Sequence, residues 1–148
     1  MMSLAMARYV QTGTQRSNAT DWAAGANQAW MNTVRKASSL VTHVTSGTPT
    51  ISSWTLLAPG TWQITAGLKA AGTIGLRLDI VRGTFSYSNS VASASAPTTA
   101  NNSACATITL EVNANASICL VWAFTAGTTI DSANGDCNFV SFLYLGAL

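Results

Sequence analysis

The stretch LLAPGTWQI, residues 56–64, decides how this chain folds. Apolar residues run into Ala58-Pro59-Gly60-Thr61, after which Trp62, Ile64, Ala66 and Leu68 alternate with Gln63, Thr65 and Gly67. Proline presets its own φ and glycine accepts a positive one, so Pro59-Gly60 predicts a type II turn. A period of two beyond the turn is that of a strand with one buried face. The stretch therefore reads as strand, turn, strand.

The same grammar extends in both directions. Strands are predicted at 40–44, 51–57, 60–70, 74–83, 104–114, 116–127 and 137–148. In 74–83, Leu76, Leu78 and Ile80 alternate with Arg77 and Asp79. ARYVQTGT reads as a short strand and QRSNATDW as a turn-rich link. In DWAAGANQAWMNTVRK, Gly25 and the lack of a helical stripe predict a loop leading to a strand over 29–34, with a short helix as the alternative. The Ser, Ala, Thr and Asn of 86–103 predict a long exposed loop with a short strand near Tyr87. Roughly eight to ten short strands without a clear helix predict an all-β sandwich or barrel. The domain is expected over 26–148, behind an N-terminal arm of residues 1–25.

Of the 148 residues, 48% are hydrophobic and only 8% charged, against about 25% charged in ordinary soluble domains. The polar surface must then consist of Ser, Thr, Asn and Gln. That suits a subunit covered by its own copies or by a larger assembly. The net charge of +2 forms no stripe, and Arg35-Lys36 is the only adjacent basic pair, so nucleic acid is not an expected partner. MMSLAMARYV has no basic region ahead of an apolar stretch, and no apolar window is long enough to span a bilayer. Synthesis in a host cytoplasm without a membrane partner is expected.

Candidate chemistry is sparse. Cys105, Cys119 and Cys137 are widely spaced, and His43 is the single histidine, so no zinc set forms and the cysteines read as small hydrophobes. His43 reads as a half-exposed strand residue. Asp131, Asn134, Asp136 and Asn138 lack calcium-loop spacing, and Asn134-Gly135 reads as a hairpin turn. Neither a cofactor, a metal nor an enzymatic activity is expected.

The last two long strands are apolar on both faces. Ile118, Leu120, Trp122 and Phe124 alternate with Cys119, Val121 and Ala123; Phe139, Leu143 and Leu145 alternate with Val140, Phe142 and Tyr144. A strand apolar on both faces is covered on both faces. Another subunit is the simplest cover, and residues 1–30 folding over the face are the alternative.

This order of elements resembles the jelly-roll head of the tumour-necrosis-factor and complement-q-type proteins. Gly60, Thr61, Trp62 and Ile64 match a "pGtY.i" motif, with Trp where Tyr is usual. Phe139, Ser141, Phe142 and Leu143 match an "F.G.L" closing strand, with Ser141 in a place usually held by a small residue or Gly. WMNTVRKASSLVTHV is similar to the opening strand pair of such domains in phage structural proteins. The resemblance covers about 26–148. It implies a homotrimer joined through apolar sheet faces, here Trp122, Phe124, Phe139, Phe142 and Tyr144. In phages it implies a trimeric capsid decoration (cement) protein on the virion surface. Its partners would be itself and the major capsid protein, met through Arg8, Tyr9, Arg16, Asp21 and Trp22 of the arm. The alternative is a receptor- or glycan-binding head of a fibre or spike, with Tyr87 available to stack on a sugar. The short arm, too short for a shaft, favours the decoration protein.

Overall fold

The structure is a computed structural model that describes residues 5–12, 14–17, 31–46, 51–69, 73–83, 87–100, 103–124, 128–131 and 138–147. Its strands are β1 (Met6–Val10), β2 (Thr14–Ser17), β3 (Thr33–Lys36), β4 (Val41–Ser46), β5 (Ile51–Leu56), β6 (Gly60–Lys69), β7 (Thr73–Arg82), β8 (Ser90–Ala100), β9 (Ser103–Val112), β10 (Ala116–Phe124), β11 (Thr128–Asp131) and β12 (Phe139–Gly146). The first sheet has the order β3-β1-β12-β6-β9 and the second β4-β5-β10-β7-β8, while β2 pairs with β11. Every pairing is antiparallel. Only β4–β5 and β7–β8 are sequential neighbours within a five-stranded sheet; β3, β5, β6, β8 and β9 each lead to a strand of the opposite sheet. That is a jelly-roll sandwich.

The quoted stretch is one of these crossovers. Pro59-Gly60 does not close a hairpin: β5 lies in the second sheet and β6 in the first. Gly60 has φ +137°, and a Cβ there would lie 2.2 Å from the Gly146 carbonyl oxygen, so only glycine fits. The corner is tied by Trp62 Nε1 donating to the Ala58 carbonyl at 3.1 Å and by the Tyr144 hydroxyl donating to that of Pro59 at 3.0 Å.

The core lies between the sheets. Trp62, Ile64, Ala66 and Leu68 of β6 meet Leu76, Leu78 and Ile80 of β7 and Ile118 and Leu120 of β10 in one buried cluster. Each large aliphatic side chain buried there contributes about 1.5–3 kcal/mol. A second tie is polar. Asn138 Nδ2 donates to Gln11 Oε1 at 2.8 Å, and Asn138 Oδ1 accepts the Lys69 N–H at 2.6 Å. This buried clamp joins the ends of β1, β6 and β12, and it gives Asn138 a structural use in place of the oxygen cluster considered from sequence.

Four local expectations are corrected. The segment 90–100 is not an exposed loop but an 11-residue edge strand. Its Ala92, Ala94 and Ala96 pack on the core while Ser93 and Ser95 face out; Pro97 is tolerated because the strand is at an edge. The link 14–17 is strand β2. The arm also yields a core strand: β1 lies between β3 and β12, so the sandwich includes residues well before 26. Of the strand expected over 29–34, residues 29 and 30 lie outside the described residues, 31 and 32 are not strand, and β3 begins at Thr33. The predicted Asn134-Gly135 turn lies outside the described residues.

Candidate interaction face

Strand pairing sets which face each residue of β12 presents. Val140 and Phe142 point into the sandwich and are fully buried. Phe139, Ser141 and Leu143 are half-buried and Leu145 is exposed, so the odd positions form the outer face of the first sheet. Met6 is opposite Leu143, Arg8 opposite Ser141 and Val10 opposite Phe139 on β1. The Arg8 guanidinium carbon sits 4.2 Å from the Phe139 ring centroid, and its Nη1 donates to Ser141 Oγ at 3.3 Å. Stacking of this kind contributes about 0.5–1 kcal/mol at an exposed site. Beyond β12 the face turns polar, with Gln63 and Thr65 on β6 and Thr107 and Thr109 on β9. Thr107 Oγ1 donates to Thr65 Oγ1 at 3.2 Å. The face is thus an apolar strip with one stacked cation, bordered by hydroxyls and amides. That composition suits contact with another protein surface.

The expected trimer set does not form one surface. Phe139 is on this face, but Phe142 is core, 0% exposed and 5.7 Å from the Trp54 ring centroid. Tyr144 faces inward at the corner, against Trp62 at 5.0 Å. Trp122 and Phe124 are on β10 of the other sheet, opposite Leu78 and Leu76; their side chains lie outside the described residues. The reason is parity: with both faces apolar, periodicity does not say which set points inward. Pairing with Trp62 and Ile64 on β6 does, and it brings out Met6, Leu143 and Leu145 instead.

The expected capsid-contact set is divided too. Arg8 is on the outer face, but Tyr9 is a core residue, its ring packed 5.8 Å from Trp54 and 6.2 Å from Phe142. Burial also raises its phenol pKa. Arg16 is on β2 opposite Thr129. Asp21 and Trp22 lie outside the described residues.

One patch of the second sheet's outer face is closed within the chain. Val81, Cys119 and Val121 form a buried cluster there, and Asp79 beside them is 0% exposed. Its carboxylate accepts from Ser90 Oγ and Arg77 Nη2, both at 2.8 Å, and Arg77 Nε lies 2.7 Å from the other oxygen. The doubly apolar β10 therefore needs no second subunit to cover Cys119 and Val121. Burial pushes the Cys119 thiol up to about 11, whereas Cys105 on β9 is exposed.

Neither a protein-family model nor a curated protein matches the sequence. Solved structures do match its fold. Eiger TNF from S. frugiperda superposes with a TM-score of 0.70 at 8% identity, over 98% of this chain and 94% of that one. The chain folds as a tumour-necrosis-factor-like jelly roll. Murine APRIL, in a crystal structure at pH 5.0, gives 0.63 at 9% identity, over 97% of this chain and the whole of that one. This jelly roll is therefore shared nearly end to end while its sequence is not, and its surfaces must be read from its own residues. Among the described residues no His, Cys, Asp and Glu side chains gather as a metal set, and no helix is long and apolar enough to cross a membrane.

Proposed function

We propose that this jelly roll is a structural head that self-associates as a homotrimer and decorates a virion, binding the outer capsid surface and stabilising it. The observation that carries self-association is the apolar strip Met6, Phe139, Leu143 and Leu145 on the outer face of the first sheet, in a chain with few charges to keep copies apart. Trimers of such heads, joined through a sheet face, are what the resemblance implies. Its phage side supports the capsid role, with the major capsid protein as partner. An enzymatic role is not proposed. Among the described residues, the serine paired with His43 is Ser52, whose hydroxyl is fully buried and bonded to the Met31 backbone.

The test is cosedimentation with undecorated phage capsids. The proposal predicts saturable binding and a higher temperature of capsid disruption when the protein is bound. Binding to host cells or glycans with no affinity for capsids would instead establish the receptor-binding head.

A further inference from the structure

His43 belongs to β4, an edge strand of the second sheet, yet its ring reaches toward the first. It stacks on Trp54 of β5 with centroids 5.3 Å apart and planes at 10°. It meets Tyr9 of β1 at 4.8 Å. Its Nε2 lies 3.0 Å from Ser52 Oγ. That hydroxyl also accepts the Met31 N–H at 2.9 Å and lies 3.3 Å from the Met31 carbonyl oxygen. Ser52 and Met31 are both 0% exposed, and Met31 leads into β3 at the edge of the first sheet. One hydroxyl thus joins the second sheet, through His43, to the backbone that opens β3.

A serine hydroxyl has one proton to give. Beside a neutral imidazole accepting at Nε2, Ser52 donates to His43. Beside an imidazolium, Nε2 must donate, and Ser52 turns its proton to the Met31 carbonyl. Among the described residues the added charge would sit between two aromatic rings without a counter-ion. Strands β1, β3, β4, β5 and β12 carry no carboxylate. Besides His43 their ionisable groups are the Tyr9 phenol, the Tyr144 phenol bonded to the Pro59 carbonyl, Arg8 on the opposite face, and exposed Arg35 and Lys36 on β3. Burial lowers the His43 pKa below its ordinary 6.5.

We propose that His43 is an acid-operated latch: when its ring takes up a proton, the seam between β4–β5 and the Met31–Lys36 segment loosens. This goes beyond the self-association reading and does not depend on it. The folded chain binds fewer protons at this ring than the unfolded chain. Stability is therefore full above pH 6.5 and is lost as pH falls through 6.5 toward the lower folded-state pKa.

The single histidine makes the test clean, because no other side chain ordinarily titrates between pH 5 and 8. The ring resonance of the full chain is followed by NMR, and Tm is measured from pH 7.5 to 5.0 for the natural chain and for His43→Gln. The latch predicts a ring midpoint below 6.5 and a Tm fall of about 3 °C or more, absent in the variant. It also predicts that the Met31 amide, corrected for intrinsic exchange, opens before the β6 amides at pH 5. A ring midpoint at or above 6.5 would mean that cation–π attraction outweighs burial and would overturn the latch. An equal Tm fall in His43→Gln would overturn it too. The ring titration needs only the natural chain, so it decides even if the variant misfolds.

Discussion

Strands β10 and β12 have the same kind of sequence and opposite fates. Each is apolar on both faces, each sits inside a five-stranded sheet, and each turns one face to the shared core. On β10 the other face, with Cys119 and Val121, is closed within the subunit beside Val81 and the buried Asp79. On β12 the other face, with Phe139 and Leu143, is only half covered, and Leu145 is 45% exposed. An apolar face demands cover, but its sequence does not say who provides it. The open strip, not the apolar strand as such, marks where a partner can bind.

The largest test of this contrast is a charge on each outer face. Val121→Asp would bury an unpaired carboxylate and should cost about 4 kcal/mol or more, seen as loss of a cooperative urea transition. Leu145→Asp should change monomer stability by about 0.5 kcal/mol or less. Equal damage from both would erase the distinction. Within β12 itself, Phe142→Ala should cost about 3–5 kcal/mol by leaving a core cavity. Phe139→Ala should cost about 1 kcal/mol, mainly through lost stacking with Arg8, in the same denaturation experiment.

These parity effects show what was legible in the residues. Strand β6 could be read outright, because its apolar and polar positions separate cleanly after Pro59-Gly60. Strand β8 could not: Ala92, Ala94 and Ala96 alternate with serines, but alanine carries too little hydrophobic contrast to lift a period of two above low complexity. Tyr9 reads as part of a short strand, but its place in the core sheet is not legible, because its strand partner, Val140, is far away in sequence. Non-local pairing leaves no local signature. The outer strip on β12 was visible as residues, Leu143 and Leu145, but its facing was not, since that depends on register with β6.

Smaller effects separate the faces further. Leu143→Asp combined with Leu145→Asp should leave the far-UV spectrum of the sandwich intact and reduce the particle to a single chain, read by sedimentation velocity. Brief alkylation of the native protein, mapped by mass spectrometry, should label exposed Cys105 and spare Cys119, whose thiol is buried and pushed up to about 11. Because Cys105 lies on the outer face of the first sheet, its labelling should slow as the protein is concentrated, with Cys119 unchanged.

The central claim is that the open outer face of the first sheet is an interface between copies of this chain. The most direct measurement is the solution mass of the natural protein by light scattering, across a range of concentrations. A mass of three times the 15.4 kDa chain, falling to one chain in the Leu143→Asp, Leu145→Asp variant, is the predicted result. A monomer at every concentration would contradict the claim.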